Sequence, residues 1–220
     1  MDDLLIRLGR LDSCAVSDAL DKLGLTGAVA GIHRVSTDRR ISGRVVTVKL
    51  VKDEPGDGRP VSVRHLGTTA IEAAQAGDVI VVEQRTGIDA AGWGGTLSLG
   101  ASLRGVAGVI IDGPARDVDE SRQHDFPVFS RSHTSRTARG RLVEAATNLP
   151  VTVGDITVAP GDYVVADGSA VVFVTANEIA RVLDAAETIA AREKAMAESL
   201  RAGTPISQVM GKSYETMLKK

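Results

Sequence analysis

Two apolar runs, residues 79–82 and 106–111, constrain the fold more than any other feature of this 220-residue chain. Val79-Ile80-Val81-Val82 and Val106-Ala107-Gly108-Val109-Ile110-Ile111 carry no polar side chain, and short runs rich in β-branched residues read as buried strands. A helical segment stands before each. Residues 68–76 precede the first run and are closed by Gly77-Asp78; residues 95–104 precede the second, with Gly105 as their stop. Helix, strand, glycine, helix, strand in succession implies an α/β layer of parallel strands joined by crossover helices.

The flanking sequence adds to this layer. Residues 13–24 read as a short helix with Val16, Ala19, Leu20 and Leu23 on one face and Gly24 as its stop. Residues 41–51 alternate: Val46, Val48 and Leu50 point one way, Thr47 and Lys49 the other, the pattern of a half-buried strand. Asp53-Glu54-Pro55-Gly56-Asp57-Gly58 predicts a turn-rich loop. Past Pro127 the pattern becomes short β segments, at 141–145, 151–153, 156–158, 163–166 and 171–174, mostly antiparallel in character. Gly154-Asp155 is a two-residue hairpin turn between two of them, and Pro160-Gly161-Asp162 and Asp167-Gly168-Ser169 are further turns. A long helix over 177–202 closes the chain. Its apolar stripe is Ile179, Val182, Leu183, Ala186, Ile189, Ala190, Met196, Ala197 and Leu200, and a polar tail follows from Thr204. The expected division is one domain over residues 1–176, with 177–220 a helix and tail packed on it or used in oligomerisation.

Composition narrows the function classes. A formal net charge of −2, with no basic stripe interleaved with aromatics, gives no electrostatic case for a nucleic-acid partner. Cys14 is the only cysteine, so an intrachain disulfide and a Cys-rich zinc site are excluded; inside an amphipathic helix it reads as a packing residue. The opening MDDLLIRLGRLDS lacks the basic-then-apolar layout of a signal peptide, and no apolar run approaches the ~20 residues of a membrane helix. The expectation is a cytoplasmic protein without membrane association.

Candidate chemistry concentrates between Gly92 and Glu120. Gly92-Trp93-Gly94-Gly95 opens a helix, and amides of Gly95, Thr96 and Leu97 at its start could bind a small anion such as a carboxylate. Leu97 stands where a dinucleotide fingerprint needs its third glycine, and there is no Gly-Lys-Ser/Thr of a phosphate loop. The same residues also suit a tight turn feeding a helix. After the second apolar run come Arg116, Asp117, Asp119 and Glu120. In a helix beginning near Arg116, Asp117 and Glu120 lie at i and i+3 and face one point while Asp119 turns away; two carboxylates with water suit Mg²⁺ or Mn²⁺. Arg116 could pair with a substrate carboxylate or steady an oxyanion, or form a plain i,i+4 pair with Glu120. The histidines, at 33, 65, 124 and 133, show no metal-ligand spacing; His124 and His133 follow the acidic cluster and could approach it.

Several motifs together resemble one family. Ser17-Asp18-Ala19-Leu20, Gly43-Arg44-Val45-Val46-Thr47-Val48, Trp93-Gly94-Gly95, residues 104–113, Arg116-Asp117, Pro127-Val128-Phe129 and Val158-Ala159-Pro160-Gly161-Asp162 are similar to the 4-hydroxy-4-methyl-2-oxoglutarate aldolases (HMG/CHA aldolases) and RraA-like proteins, the regulators of ribonuclease E activity. The resemblance covers about residues 13–175. The family signature is a glycine or aspartate, twenty intervening residues, then Arg-Asp and often an acid three positions on; Gly95, Arg116, Asp117 and Glu120 match it.

The resemblance implies a swivelling three-layer β/β/α fold, assembled as a homotrimer or homohexamer with active sites between subunits. It implies a class II, divalent-metal-dependent pyruvate lyase, and many members also decarboxylate oxaloacetate. Asp117 would anchor the metal, Arg116 contact the pyruvyl group, and amides along Gly94, Gly95, Thr96 and Leu97 hold the substrate carboxylate. Well-studied aldolases of the family carry aspartate where Gly95 stands here, so Glu120 is expected to help Asp117. The general base stays open between a metal-bound water, His124 and an acid of another chain. The alternative is a non-catalytic RraA-like protein that binds and modulates a ribonuclease.

Overall fold

The computed structural model describes residues 3–54 and 64–211. Two helices open it, α1 (Asp3–Arg10) and α2 (Ser13–Leu23), followed by short strands β1 (Ala28–Val29) and β2 (His33–Arg34) and the long β3 (Ile41–Lys52). Three helix–strand units come next: α3 (Thr68–Ala73) with β4 (Val79–Glu83), α4 (Gly95–Arg104) with β5 (Gly108–Ala115), and α5 (Val118–Gln123) with β6 (Val128–His133). Five strands follow, β7 (Leu142–Thr147), β8 (Val151–Val153), β9 (Ile156–Val158), β10 (Tyr163–Ala166) and β11 (Val171–Val174), before the helices α6 (Ile179–Arg201) and α7 (Ile206–Val209).

The two apolar runs sit side by side in a mixed sheet whose order is β1-β11-β10-β3-β4-β5-β6-β2, with β7 also on β3. Strands β3 to β6 are parallel neighbours, joined by crossovers that contain α3, α4 and α5. The other pairings are antiparallel, and β8 and β9 form a separate hairpin that turns through Gly154 at φ 57°.

Alternate residues of β3, β4 and β5 feed two cores, which is why these strands read as unbroken apolar runs. Val46, Val48, Ile80, Val82, Val109 and Ile111 pack under α3 and α4 with Trp93 and Leu97. Val45, Val79, Val81 and Ile110 face the opposite way, onto Val164, Val171 and Phe173 of the antiparallel strands and Val151, Val153 and Val158 of the hairpin. Sheet therefore packs on sheet on one side and helices on the other, as the β/β/α expectation requires. A third core joins α1, α2 and the first half of α6 through Leu8, Val16, Leu20, Val182, Leu183 and Ile189.

Several expectations need correction. Strand β3 is more than half buried: Thr47 is fully enclosed, and its hydroxyl donates to the Leu149 carbonyl at 2.6 Å. Helix α3 ends at Ala73, short of residue 76, and β5 starts at Gly108 and runs on to Ala115. Strand β6 was not expected; only its first three residues are buried, and the exposed Arg131-Ser132-His133 hides it. The stripe of α6 is buried only as far as Ile189, with Leu200 exposed. Cys14 is exposed rather than packed. Of the loop expected at 53–58, residues 55–58 lie outside the described residues, as does the tail from 212 onward.

Candidate active site

The carboxyl ends of β4 and β5 carry the site, where parallel sheets commonly bind ligands. Gln84, just past β4 and 4% exposed, donates through Nε2 to the carbonyls of Ile88 and Ala90 at 3.0 and 2.7 Å and so shapes the following loop. That loop zips onto the end of β5: the Gly92 amide donates to the Pro114 carbonyl at 2.9 Å, and the Arg116 amide to the Trp93 carbonyl at 3.0 Å. Pro114 is tolerated there because the β5–β6 register shifts between Ile111 and Pro114. The result sets Gly94-Gly95 against Arg116-Asp117.

A buried polar relay fixes the two helix starts to each other. Trp93, 1% exposed, stacks on Phe126 with centroids 6.4 Å apart, and its Nε1–H donates to Ser98 Oγ at 3.0 Å. Ser98 Oγ lies 2.8 Å from Ser121 Oγ and 3.2 Å from the Gly94 carbonyl oxygen. Ser121 Oγ in turn lies 3.2 Å from the carbonyl oxygen of Asp117. The relay runs from the first turn of α4 to the first turn of α5.

Asp117 is the N-cap of α5, so the helix begins at Val118 rather than Arg116. It has a left-handed backbone (φ 54°, ψ 43°), a conformation that Asp tolerates better than most residues. Its Oδ2 accepts from the Gly95 amide at 3.2 Å, and its two oxygens accept from Arg116 Nε at 3.1 and 3.0 Å. Gly94 must be glycine for this approach, since a Cβ there would lie 2.9 Å from Asp117 Oδ2. Glu120, exposed, reaches back over Gly95, where a Cβ would fall 1.9 Å from its Oε2. Asp119 does turn away, pairing with Arg122 at 2.6 Å, and Arg116 engages Asp117 rather than Glu120.

Gly94, Gly95, Thr96, Leu97, Arg116 and Asp117 line one cleft of about 380 Å³. The Gly95 amide is taken by Asp117, whereas the amides of Thr96 and Leu97, in the uncapped first turn of α4, find no protein acceptor among the described residues. Glu120 lies outside the lining, on the α5 side of the glycine turn. Ala91 and Trp93 add to the walls, as do His65, Leu66, Thr68, Thr137, Ala138 and Arg139, six residues that the sequence did not single out as site residues. Neither His124, at the C-cap of α5, nor His133, at the end of β6, lines the cleft. Recognising β6 would have been the signal, because the loop at its carboxyl end brings Thr137 to Arg139 to the site.

The comparisons agree with this architecture. The sequence model of the RraA-like family, described as Aldolase/RraA, matches residues 13–173. Protein DlpA of Legionella pneumophila is 26% identical over 208 residues, which are 94% of this chain but 33% of that protein, so the chain spans a third of that relative. A Halalkalibacterium halodurans protein named "Putative 4-hydroxy-4-methyl-2-oxoglutarate aldolase" is 28% identical over 91% of each chain. Among solved structures, an uncharacterized protein from Pseudomonas syringae pv. tomato is 30% identical with a TM-score of 0.84, covering 96% of this chain and 98% of its own. Streptomyces coelicolor RraAS2, described as an unusual member of the RNase ES inhibitor RraA protein family, is 23% identical with a TM-score of 0.78 over 88% of this chain and 95% of its own, and shows the fold alone. On the family match and the shared fold, the chain belongs to the RraA-like, Aldolase/RraA family.

Proposed function

We propose that this protein is a divalent-metal-dependent pyruvate lyase that cleaves a 4-hydroxy-2-oxo diacid to pyruvate and a second oxo acid, or decarboxylates oxaloacetate. The observation that carries the reading is the meeting, in one cleft, of unsatisfied amides at Thr96 and Leu97 with the Arg116–Asp117 pair. The aldolase names among its relatives support it.

The residues present fit a hard cation. Two carboxylates, Asp117 and Glu120, reach the Gly94-Gly95 turn, in space that side chains at either glycine would fill. Among the described residues no group of three or more His, Cys, Asp or Glu gathers, so Mg²⁺ or Mn²⁺ held there would keep oxygen ligands from water or substrate. When bound, such an ion polarises the 2-oxo group and lowers the cost of forming an enolate.

The chain's own groups account for the rest. Thr96 and Leu97 amides receive the C1 carboxylate at a helix start that favours negative charge. Arg116 is braced through Nε by Asp117, leaving its terminal nitrogens to meet the pyruvyl oxygen as charge develops there. Leu66, Trp93, Leu97 and Ala138 supply apolar wall that limits water around the reacting carbons. Loss of the C4 hydroxyl proton lets the C3–C4 bond break, its electron pair passing into the pyruvate enolate as the second oxo acid leaves; oxaloacetate reaches the same enolate by losing CO₂ from its C4 carboxylate, and protonation of C3 then completes pyruvate. Of the histidines, His65 is the one lining the cleft and is the nearest candidate to move that proton.

The proposal extends to assembly as a homotrimer or homohexamer. Leu99 and Leu103, one turn apart on α4, are 40% and 80% exposed and would suit a subunit contact. Residues 1–176 would act as one catalytic unit, with the outer half of α6 available to a neighbour.

A pyruvate-release assay with Mg²⁺ or Mn²⁺, with and without EDTA, tests the reading. Turnover that EDTA removes is expected. No turnover on either substrate class would instead favour a non-catalytic protein that binds and modulates a ribonuclease.

A further inference from the structure

We propose that Arg139 is the specificity residue that reads the second carboxylate of the substrate. This rests on the pyruvyl site proposed above and goes beyond it by locating the distal end of the ligand within the same subunit.

The loop over residues 134–141 is fixed rather than loose. Its Thr134 amide donates to the Ala115 carbonyl at 2.9 Å, and the Arg136 carbonyl accepts from the Ala91 amide at 3.0 Å. At its end, the amides of Arg141 and Leu142 both donate to the Ala138 carbonyl at 2.8 Å. Ala138, 5% exposed, is packed into the core and holds its neighbours Thr137 and Arg139 at the cleft wall.

Three arginines stand on this loop, and two are engaged. Arg136 Nε lies 3.6 Å from Asp89, and Arg141 Nη1 donates to the Thr137 carbonyl at 3.1 Å. Arg139 lines the cleft, and among the described residues its guanidinium has no acidic or carbonyl partner.

The charge count then points to the ligand. Among the described residues Asp117 is the one acid lining the cleft, and it is already paired with Arg116. The Thr96 and Leu97 amides with Arg116 suffice for a pyruvyl group, which leaves the exposed Arg139 guanidinium on the cleft wall available to a second carboxylate. A guanidinium offers a planar fork of donors that matches a carboxylate, which favours Arg139 over His65 for this role.

Calorimetric titration with 2-oxoglutarate and with pyruvate, in Mn²⁺, tests this on wild type, Arg139→Ala and Arg139→Lys, each first shown to melt normally. The two ligands share the pyruvyl end and differ in the second carboxylate. Arg139→Ala should weaken 2-oxoglutarate about tenfold or more, the scale of one lost charge-assisted hydrogen bond, and pyruvate much less. Arg139→Lys should recover part of the loss. Equal weakening of both ligands, or none of either, overturns the assignment while leaving the pyruvyl site standing. If wild type binds neither ligand, the pyruvyl site itself is wrong and the Arg139 role falls with it.

Discussion

Glu120 Oε2 occupies the place where a side chain on Gly95 would begin, 1.9 Å from the position of its Cβ. In this arrangement a side chain on residue 95 and the Glu120 carboxylate compete for one place, so a side chain at 95 requires the exposed Glu120 to shift. The resemblance to aldolases with aspartate at position 95 then has a structural reading, in which an acid is delivered to the same turn from α5 instead of α4. Gly95→Asp alone should place two carboxylates in collision and lower the melting temperature. Gly95→Asp with Glu120→Ala should restore much of it, with a coupling within the ~0.5–3 kcal/mol seen for contacting residues. Additive losses in a thermal-denaturation cycle would contradict this competition for one place.

The Trp93–Ser98–Ser121 relay predicts a structural cost at a buried, uncharged residue. Ser98→Ala leaves the buried Trp93 N–H without its acceptor and removes the bridge to Ser121. Loss of about 1–3 kcal/mol is expected by chemical denaturation. A change of only a few tenths would mean that the relay does not hold the two helix starts together.

Asp117 separates charge from backbone shape. At φ 54° an Asn is tolerated nearly as well as Asp, whereas Ala adds a left-handed strain of roughly 1 kcal/mol. Asp117→Asn should thus melt close to wild type, and its metal-dependent pyruvate release should fall by more than about 100-fold. Asp117→Ala should lose the same activity and also stability. Wild-type turnover in Asp117→Asn would remove the metal role from this residue.

Acid sensitivity should trace partly to Asp167. Burial alone would raise its pKa, but the Ser13 amide (2.8 Å) and hydroxyl (2.7 Å), with the Ser169 and Ala170 backbone, outweigh that and lower it. A depressed folded-state pKa means stability that is fully present above the ordinary carboxylate value of about 3.9 and lost as pH falls through the folded value. Asp167→Asn should therefore melt lower than wild type at neutral pH, the gap closing in acid. A gap independent of pH would show that its charge is not what anchors α2.

Much of this was legible in the chain because local chemistry and tertiary role coincided. Gly24 and Gly105 end α2 and α4 in left-handed conformations, as glycine after a periodic segment implies, and Gly154 turns the β8–β9 hairpin. The runs at Val79 and Val109 could read only as buried strands. Strand β6 was hidden because Arg131 to His133 are exposed: its second half, past the pairing with the short β2, has no apolar face to show. That omission also hid Thr137 and Arg139, since a residue joins the cleft through the loop at a strand's end and not through spacing to Arg116. The displacement of the α5 start from Arg116 to Val118 has a similar origin. Asp117 takes a left-handed cap to reach the Gly95 amide, a tertiary contact that helical periodicity does not contain.

The central claim is that the Gly94–Leu97 helix start and Arg116–Asp117 form one metal-dependent pyruvyl site. A crystal structure with Mn²⁺ and oxalate, using the manganese anomalous signal, tests it most directly. The account predicts a manganese peak beside the Asp117 carboxylate, with an oxalate carboxylate on the Thr96 and Leu97 amides and Arg116 against its other end. Manganese and oxalate bound elsewhere, with this cleft empty under the same conditions, would contradict it.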